Sequence, residues 1–404
     1  MANLLYLVHR MPYPPNKGDK VRSYHLLRHL TARHRVFVGT FIDDAADEGH
    51  IETLRGLCSG LHVARLHPLR ARLASLAGLL TGRALTLHYY RHAGLRRWIE
   101  QTLRQESIDA VVIFSSSMAQ YAELPGTRPV LVDFVDVDSA KWSAYAKEHR
   151  WPMSWLYRRE GARLLSYERA VASRSRRGFF ATEKETQLFL ELAPECEGRV
   201  EPMGNGVDGQ YFSPQDGRAS PFAEGETALV FTGAMDYWPN VDAVCWFAGE
   251  VLPLLLKTRP GLRFHIVGRA PTAAVRALAG EHVVVSGTVP DVRPYLQHAA
   301  VVVAPLRLAR GIQNKILEAM AMARPVVAAA GCVAALDART GTEIVAAEEA
   351  PDYAAAIERL LADPAAADAL GQAGRARVLR SYTWAAHMAV FDRHLEPQAE
   401  AVAG

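Results

Sequence analysis

Cysteine is scarce. Among 404 residues there are four, Cys58, Cys196, Cys245 and Cys332, scattered and with no CxxC pair. That argues against a disulfide framework or a thiolate zinc site and fits a reducing compartment. A surplus of one charge is lacking too. The net charge of +3 is too small to imply a nucleic-acid partner. No apolar run approaches the roughly 20 residues of a membrane span. The opening MANLLYLVHR has a short apolar stretch and no basic leader, so no signal peptide is expected. No group of His, Cys, Asp and Glu has metal-ligand spacing, so no metal site is expected. What remains is 50% hydrophobic and 22% charged, an ordinary globular balance in a chain long enough for two domains.

The most informative stretch is Ala300 to Val327, AVVVAPLRLARGIQNKILEAMAMARPVV. Val301 to Ala304 has the β-branched, apolar character of a buried parallel strand. A loop with Arg307, Arg310 and Gly311 follows. Ile312 to Ala323 then reads as a helix, with Ile316, Leu317 and Met320 on its apolar side and Pro325 past its end. Strand, glycine loop and helix N-terminus together suit an anion, because free N–H groups and the positive dipole end point back at the loop. Lys315 adds a charge in the first turn, and Glu318 lies about one turn deeper. Such a nest suits a diphosphate, with Glu318 accepting from sugar or ribose hydroxyls. By composition alone the same pattern also fits an ordinary helix with a solvated Glu.

Elsewhere, short apolar runs alternate with helical periodicity. Leu4–Val8, Val36–Phe41, Leu61–Leu66, Ala110–Phe114 and Val130–Val135 read as strands in the first half. Arg70 to Leu80 and Gly94 to Gln105 read as helices between them. This is the mark of βα units and a doubly wound parallel sheet. The loop from His9 to Lys20 follows the first strand, where such sheets bind ligands. Gly18 there permits close approach of a substrate to the backbone. Lys17, Lys20 and Arg22 are candidates to face an anionic acceptor. Met153 to Arg174 reads as one long helix whose arginines, with Arg176 and Arg177, make a basic patch. A solvated face and attachment to anionic lipid both fit it.

GIQNKILEAMAMARPVV resembles the donor-site helix of the retaining GT-B glycosyltransferases of family 4. That family usually shows Glu, seven residues, then Glu-Ala-Met-Ala and a Gly-x-Pro-Val-Val run. Glu318 matches the second Glu, which the resemblance implies binds the nucleotide ribose. Arg310 stands where the first Glu is usual, and Ala323 and Arg324 near the usual Gly. HRMPYPPNKGDKVRSYHLLRHL and VDFVDVDSAKW are similar to the exosortase-associated (PEP-CTERM) sugar transferases within the family. GNGVDGQYFSP, from Gly204 to Pro214, matches an interdomain motif and marks a linker.

The resemblance implies two Rossmann-like domains facing a cleft: 1–205 completed by 382–404 on the acceptor side, and 206–381 for the donor. The last helix is expected to cross back to the first domain. It implies a retaining transferase that takes sugar from a nucleotide-diphosphate sugar to a glycan or lipid-linked acceptor in exopolysaccharide or cell-envelope biosynthesis. Lys315, Arg269 and Asp136 are the expected catalytic residues. Gly233, Asn240, Val289, Arg310, Gly311, Ile312, Gln313, Asn314 and Glu318 belong to the expected donor site, with Gly18 approaching from the other side. No metal or other cofactor is expected. Asp136-Val-Asp138 spells DxD, a metal motif in the other glycosyltransferase fold, but it falls in the acceptor half, where Asp136 suits a sugar hydroxyl. Asp138 or Ser139 is expected to cap the helix that follows. The expected setting is cytoplasmic, with peripheral contact to an anionic membrane and no nucleic acid. A catalytically silent sugar-nucleotide-binding protein or a GT-B-fold epimerase is the competing reading.

Overall fold

The computed structural model describes residues 1–15, 18–123, 128–307 and 312–395. The chain divides into two compact units, residues 1–205 with 387–404, and residues 206–386.

The first unit is built on seven strands: β1 (Asn3–Val8), β2 (Arg35–Ile42), β3 (Gly60–Arg65), β4 (Ala110–Phe114), β5 (Val130–Val135), β6 (Arg177–Phe180) and β7 (Val200–Pro202). They lie in the order β3-β2-β1-β4-β5-β6-β7, and every pairing is parallel. Leu4 to Val8 are all buried, as are Ala110 to Phe114. Crossover helices cover both faces of such a sheet, so its central strands are apolar throughout and do not alternate. Strand order reverses between β1 and β4, which opens a crevice at their carboxyl ends.

The second unit repeats the plan with β8 (Thr227–Thr232), β9 (Leu262–Val267), β10 (Val283–Gly287), β11 (Val301–Ala304), β12 (Val326–Ala329) and β13 (Val345–Ala347). Their order is β10-β9-β8-β11-β12-β13, again all parallel, with the reversal between β8 and β11. Leu229, Phe231, Phe247, Phe264, Val303 and Met320 are among the residues of its core.

Several helices differ from the sequence reading. The segment expected as one helix over 70–80 is two short ones, Pro68–Ser75 and Ala77–Thr81, joined at Leu76. The long helix Met153–Arg174 is continuous. Trp238–Leu256 is long and apolar enough to cross a membrane by composition, although no such run was expected. It carries Val244, Phe247, Val251 and Leu255, all buried in the core of the second unit. That burial accounts for its apolar character.

The last helix is Trp384–Leu395, and its residues from 387 on belong to the first unit. Phe391 is fully buried there, its ring 5.0 Å from that of Phe179. Asp392 takes His29 at 2.8 Å and also Arg33, while His394 pairs with Glu201.

Candidate functional site

In the second unit, the carboxyl ends of β8, β9 and β11 bring distant parts of the chain together. Gly233 follows β8 and Gly268 follows β9. A Cβ on Gly268 would lie 1.7 Å from the Gly233 carbonyl oxygen, so only glycine lets these strand ends touch. A Cβ on Gly233 would lie 2.8 Å from both Lys315 Nζ and Asn240 Nδ2. The bare backbone therefore leaves room for the two side chains that face it. Lys315 Nζ donates to Asn240 Oδ1 at 2.5 Å, and Asn240 Nδ2 donates to the Ala234 carbonyl at 2.8 Å. That second bond fixes which end of the amide Lys315 meets. Lys315 Nζ also sits 4.3 Å from the Phe231 ring centroid, a cation–π contact.

Lys315 pairs with no carboxylate among the described residues, and burial pulls its ammonium down to about 7, with Glu318 acting against the shift. Burial also pushes the Glu318 carboxyl up to about 7, with Lys315 opposing. A depressed ammonium and a raised carboxyl one turn apart mark this place as a candidate site. Thr232 Oγ1, at the tip of β8, is buried with no partner among the described residues. The helix Asn314–Ala321 carries both charged groups and has no side-chain cap among the described residues, the kind of helix start that suits an anion.

The other donor-side residues are placed less centrally. Gln313 precedes the helix and its carbonyl accepts from Ile316 N at 3.0 Å. Ile312 is 40% exposed, and Asn314 is also exposed. Arg269 is exposed just past β9, beside the Gly233–Gly268 contact. Val289 packs against the edge of the core. Lys17, Arg310 and Gly311 lie outside the described residues. Gly18 begins the helix Gly18–Thr31.

In the first unit several expectations are corrected. Lys20 and Arg22 do not line the cleft of this unit. Lys20 Nζ is buried against both oxygens of Asp47 at 2.6 Å. Arg22 is buried in a two-pronged pair with Asp133, at 2.7 and 3.0 Å, and donates to Asn205 at 2.9 Å. Buried cations of this kind are consumed by their counter-charges, and these two tie the helix Gly18–Thr31 to the short helix Ala45–His50 and to β5. The DxD carboxylates are also engaged: Lys141 Nζ holds Asp136 at 2.8 Å and Asp138 at 3.0 Å. The helix does start at Asp138, but neither Asp138 nor Ser139 caps it. Ser139 donates to the buried Glu168 instead.

The crevice of the first unit is a cleft of about 450 Å³ at the carboxyl ends of β1 and β4. His9, Tyr90, Ser115, Ser117, Trp142 and Glu160 are among its lining. The His9 ring stacks on Phe114 at 5.9 Å, and its Nδ1 is buried without a partner among the described residues. Ser115 holds a φ of 74° and Val135, at the end of β5, one of 70°. Strain of this kind, above all at a β-branched residue, collects where a site dictates the backbone. These lining residues escaped the sequence reading. His9 and Ser115 come directly after strands, which was the available signal, but the reading settled on the lysines further along the loop.

Residues 226–363, the span that holds Gly233, Asn240, Lys315 and Glu318, match the family described as Glycosyl transferases group 1. No curated protein matches the chain in sequence. Solved structures match it over nearly its whole length. Sucrose-phosphate synthase from Thermosynechococcus elongatus aligns with a TM-score of 0.64 at 17% identity, over 97% of this chain and 98% of its own. Anabaena HepE in complex with UDP also aligns at 0.64, with 15% identity over 97% of this chain and 99% of its own. WaaG, a glycosyltransferase involved in lipopolysaccharide biosynthesis, aligns at 0.59, with 16% identity over 96% of this chain and 99% of its own.

The fold is GT-B. In a GT-B chain each unit offers one crevice at its strand reversal. Here the crevice of the second unit holds the Lys315–Asn240 pair, and that of the first holds His9 and Ser115.

Proposed function

We propose that the protein is a retaining glycosyltransferase that uses a nucleotide-diphosphate sugar. One observation carries the reading. Lys315, half-buried and with no carboxylate bonded to it among the described residues, faces the bare backbone of Gly233 at the start of a helix with no side-chain cap among those residues. That arrangement suits a diphosphate: amides and ammonium supply positive potential, and glycine permits contact. Glu318, one turn deeper, suits the ribose hydroxyls. UDP is the first nucleotide to try, since the similar HepE was solved with UDP and with UDP-glucose.

In the transfer, the bond from the anomeric carbon to the leaving phosphate oxygen breaks and a bond to the acceptor oxygen forms on the same face. The acceptor proton passes to the departing phosphate oxygen. Negative charge grows on the diphosphate, where Lys315 and the amides of residues 312–314 stabilise it, with Arg269 nearby at the strand ends. No metal is needed for that charge. The cleft of the first unit, with aromatic walls and hydroxyl, imidazole and carboxyl groups, suits a sugar-bearing acceptor, either a glycan or a lipid-linked one. The chemistry fits cytoplasmic assembly of envelope or extracellular polysaccharide.

The test is a panel of nucleotide sugars read by thermal shift, followed by turnover assays in EDTA. Stabilisation by one nucleotide family and its loss in Lys315→Met are expected, since ligand at 100 times its Kd adds about 2.7 kcal/mol. Turnover is expected to survive the chelator. A protein stabilised by no nucleotide would sink the reading, and activity restored only by magnesium or manganese would remove its metal-free part.

A further inference from the structure

The segment 68–81 turns its apolar side outward. Leu69, Leu73, Leu76 and Leu80 follow one another at intervals of four, three and four, a single helical stripe. Leu69 is 75% exposed, Leu73 70% and Leu80 92%. The opposite side of the same segment is the packed one: Ala71 meets the core of the first unit, and Ser75 and Gly78 are buried. Leu76 keeps a helical backbone, so the stripe continues from one short helix to the next. The four leucines share one exposed face across the two short helices.

A second apolar cluster adjoins it. Trp151 is 80% exposed, and Met153 and Trp155 are exposed beside it at the start of the helix Met153–Arg174. Arg159 of that helix donates to the Gly78 carbonyl at 2.6 Å, and Arg72, Ser75, Leu156 and Tyr157 share the wall of the cleft. The two clusters therefore flank one cleft.

Charge says what covers them. Between Glu52 and Glu100 the chain has no carboxylate, and between Glu148 and Glu160 it has none. In those spans Arg70, Arg72, Arg83, Arg91, Arg150 and Arg158 are all exposed. None forms an ion pair among the described residues. Beyond the middle of the helix Arg169 is paired with Glu195 and Arg174 with Glu123, and just past its end Arg177 is paired with Glu201. Among the described residues, the unpaired part of the basic patch thus lies in the N-terminal half of the helix, with Arg158 and Arg163. Leucines facing outward, tryptophans at their margin and a surround of unpaired arginines match the layers of an anionic bilayer surface: acyl chain, interface and phosphate.

We propose that the first unit docks on an anionic phospholipid bilayer through the leucine stripe of residues 69–80 and the adjoining Trp151–Trp155 turn. The leucines enter the acyl boundary, the indoles sit at headgroup depth, and the arginines engage lipid phosphates. Docked this way, the cleft opens at the headgroup layer. The docking itself stands independently of the sugar-transfer reading, since it involves no residue of the donor site.

The test is co-sedimentation of the whole chain with vesicles of phosphatidylcholine alone or with about a third phosphatidylglycerol. Partition into the anionic vesicles should exceed that into neutral ones by more than about tenfold and fall in high salt. Trp emission should shift to the blue on binding. Leu69→Glu/Leu73→Glu/Leu80→Glu should lose at least about tenfold in partition with an unchanged melting temperature, because these side chains touch solvent and not core. Nucleotide binding, measured in the same samples, should be unaffected by the triple substitution. Equal partition into neutral vesicles, or binding indifferent to the leucines, would overturn the proposal. So would a leucine-dependent dimer by light scattering with no vesicle binding, which would make a second copy the occupant.

Discussion

At the scale of the residue, Lys315 and Glu318 are the groups whose environment departs furthest from water among those proposed to hold the donor. Lys315 titrates near 7 because burial disfavours its charge. A bound diphosphate would raise that value. A group whose pKa rises on binding contributes fully below its free value and loses that contribution as pH passes through the bound value. Nucleoside diphosphate affinity should therefore fall as pH rises above about 7. Calorimetry at pH 8, in buffers of different ionisation heat, should show proton uptake. Lys315→Met should flatten the dependence and weaken binding by about 1.5–3 kcal/mol, the usual worth of a charge-assisted hydrogen bond. A flat wild-type profile would place the ammonium away from the diphosphate. Glu318 has the opposite linkage to folding. Burial raises its carboxyl from the ordinary value of 4.5 to about 7, so the folded state carries a penalty that is complete above pH 7 and absent below 4.5. Glu318→Gln should stabilise the protein by about 1–3 kcal/mol at pH 8, with the gap closing between pH 7 and 4.5 in urea titrations, while donor affinity falls. No gain at pH 8 would show that the carboxyl is adequately solvated.

At the scale of the element, the end of the helix Asn314–Ala321 makes a sharper point. Ala323 N–H bonds to the Met320 carbonyl at 2.9 Å, and Arg324 N–H to the Ala319 carbonyl at 3.1 Å. These are the paired bonds of a Schellman turn, which requires a left-handed residue at Ala323. Its φ is 55°. An alanine holds that conformation at a cost of about 1–2 kcal/mol that glycine avoids. Ala323→Gly should raise the melting temperature of the second unit without altering nucleotide affinity. Calorimetric scanning checks it, and an unchanged or lowered temperature would mean that the Ala323 methyl packs well enough to offset the strain. Neighbouring chain makes the turn tight: a Cβ on Gly371 would lie 2.2 Å from the Ala323 carbonyl oxygen. The helix Pro364–Ser381 thus packs against this turn by backbone contact.

At the scale of the whole molecule, the first unit is discontinuous. Its closing piece, residues 387–395, brings Phe391 into full burial and Asp392 to His29. Phe391→Ala should remove about 3–5 kcal/mol from the first unit, the cost of a buried aromatic cavity. In a thermal scan the transition of that unit should move down while the other holds. A single transition that shifts as a whole would show instead that the two units unfold as one.

The local periods of the chain were enough for the strands Ala110–Phe114, Val130–Val135 and Val301–Ala304 and the helix Met153–Arg174. An element fully covered by its neighbours writes its own apolar run, and a helix writes its own 3.6-residue repeat. Lys315 and Glu318 could be named as candidates for the same reason, since loop and helix are consecutive in the chain. Lys20 and Arg22 were not. Their counter-charges Asp47 and Asp133 lie 27 and 111 residues away, and no local pattern says which cations folding will bury. Nor could the sequence say that Leu69, Leu73 and Leu80 face outward, because an amphipathic stripe has the same period whether it meets a core or a membrane. Period is a local property and was set by the sequence. Which face is covered, and which charge is left unpaired, depends on contacts between segments far apart, and only the tertiary structure decided it.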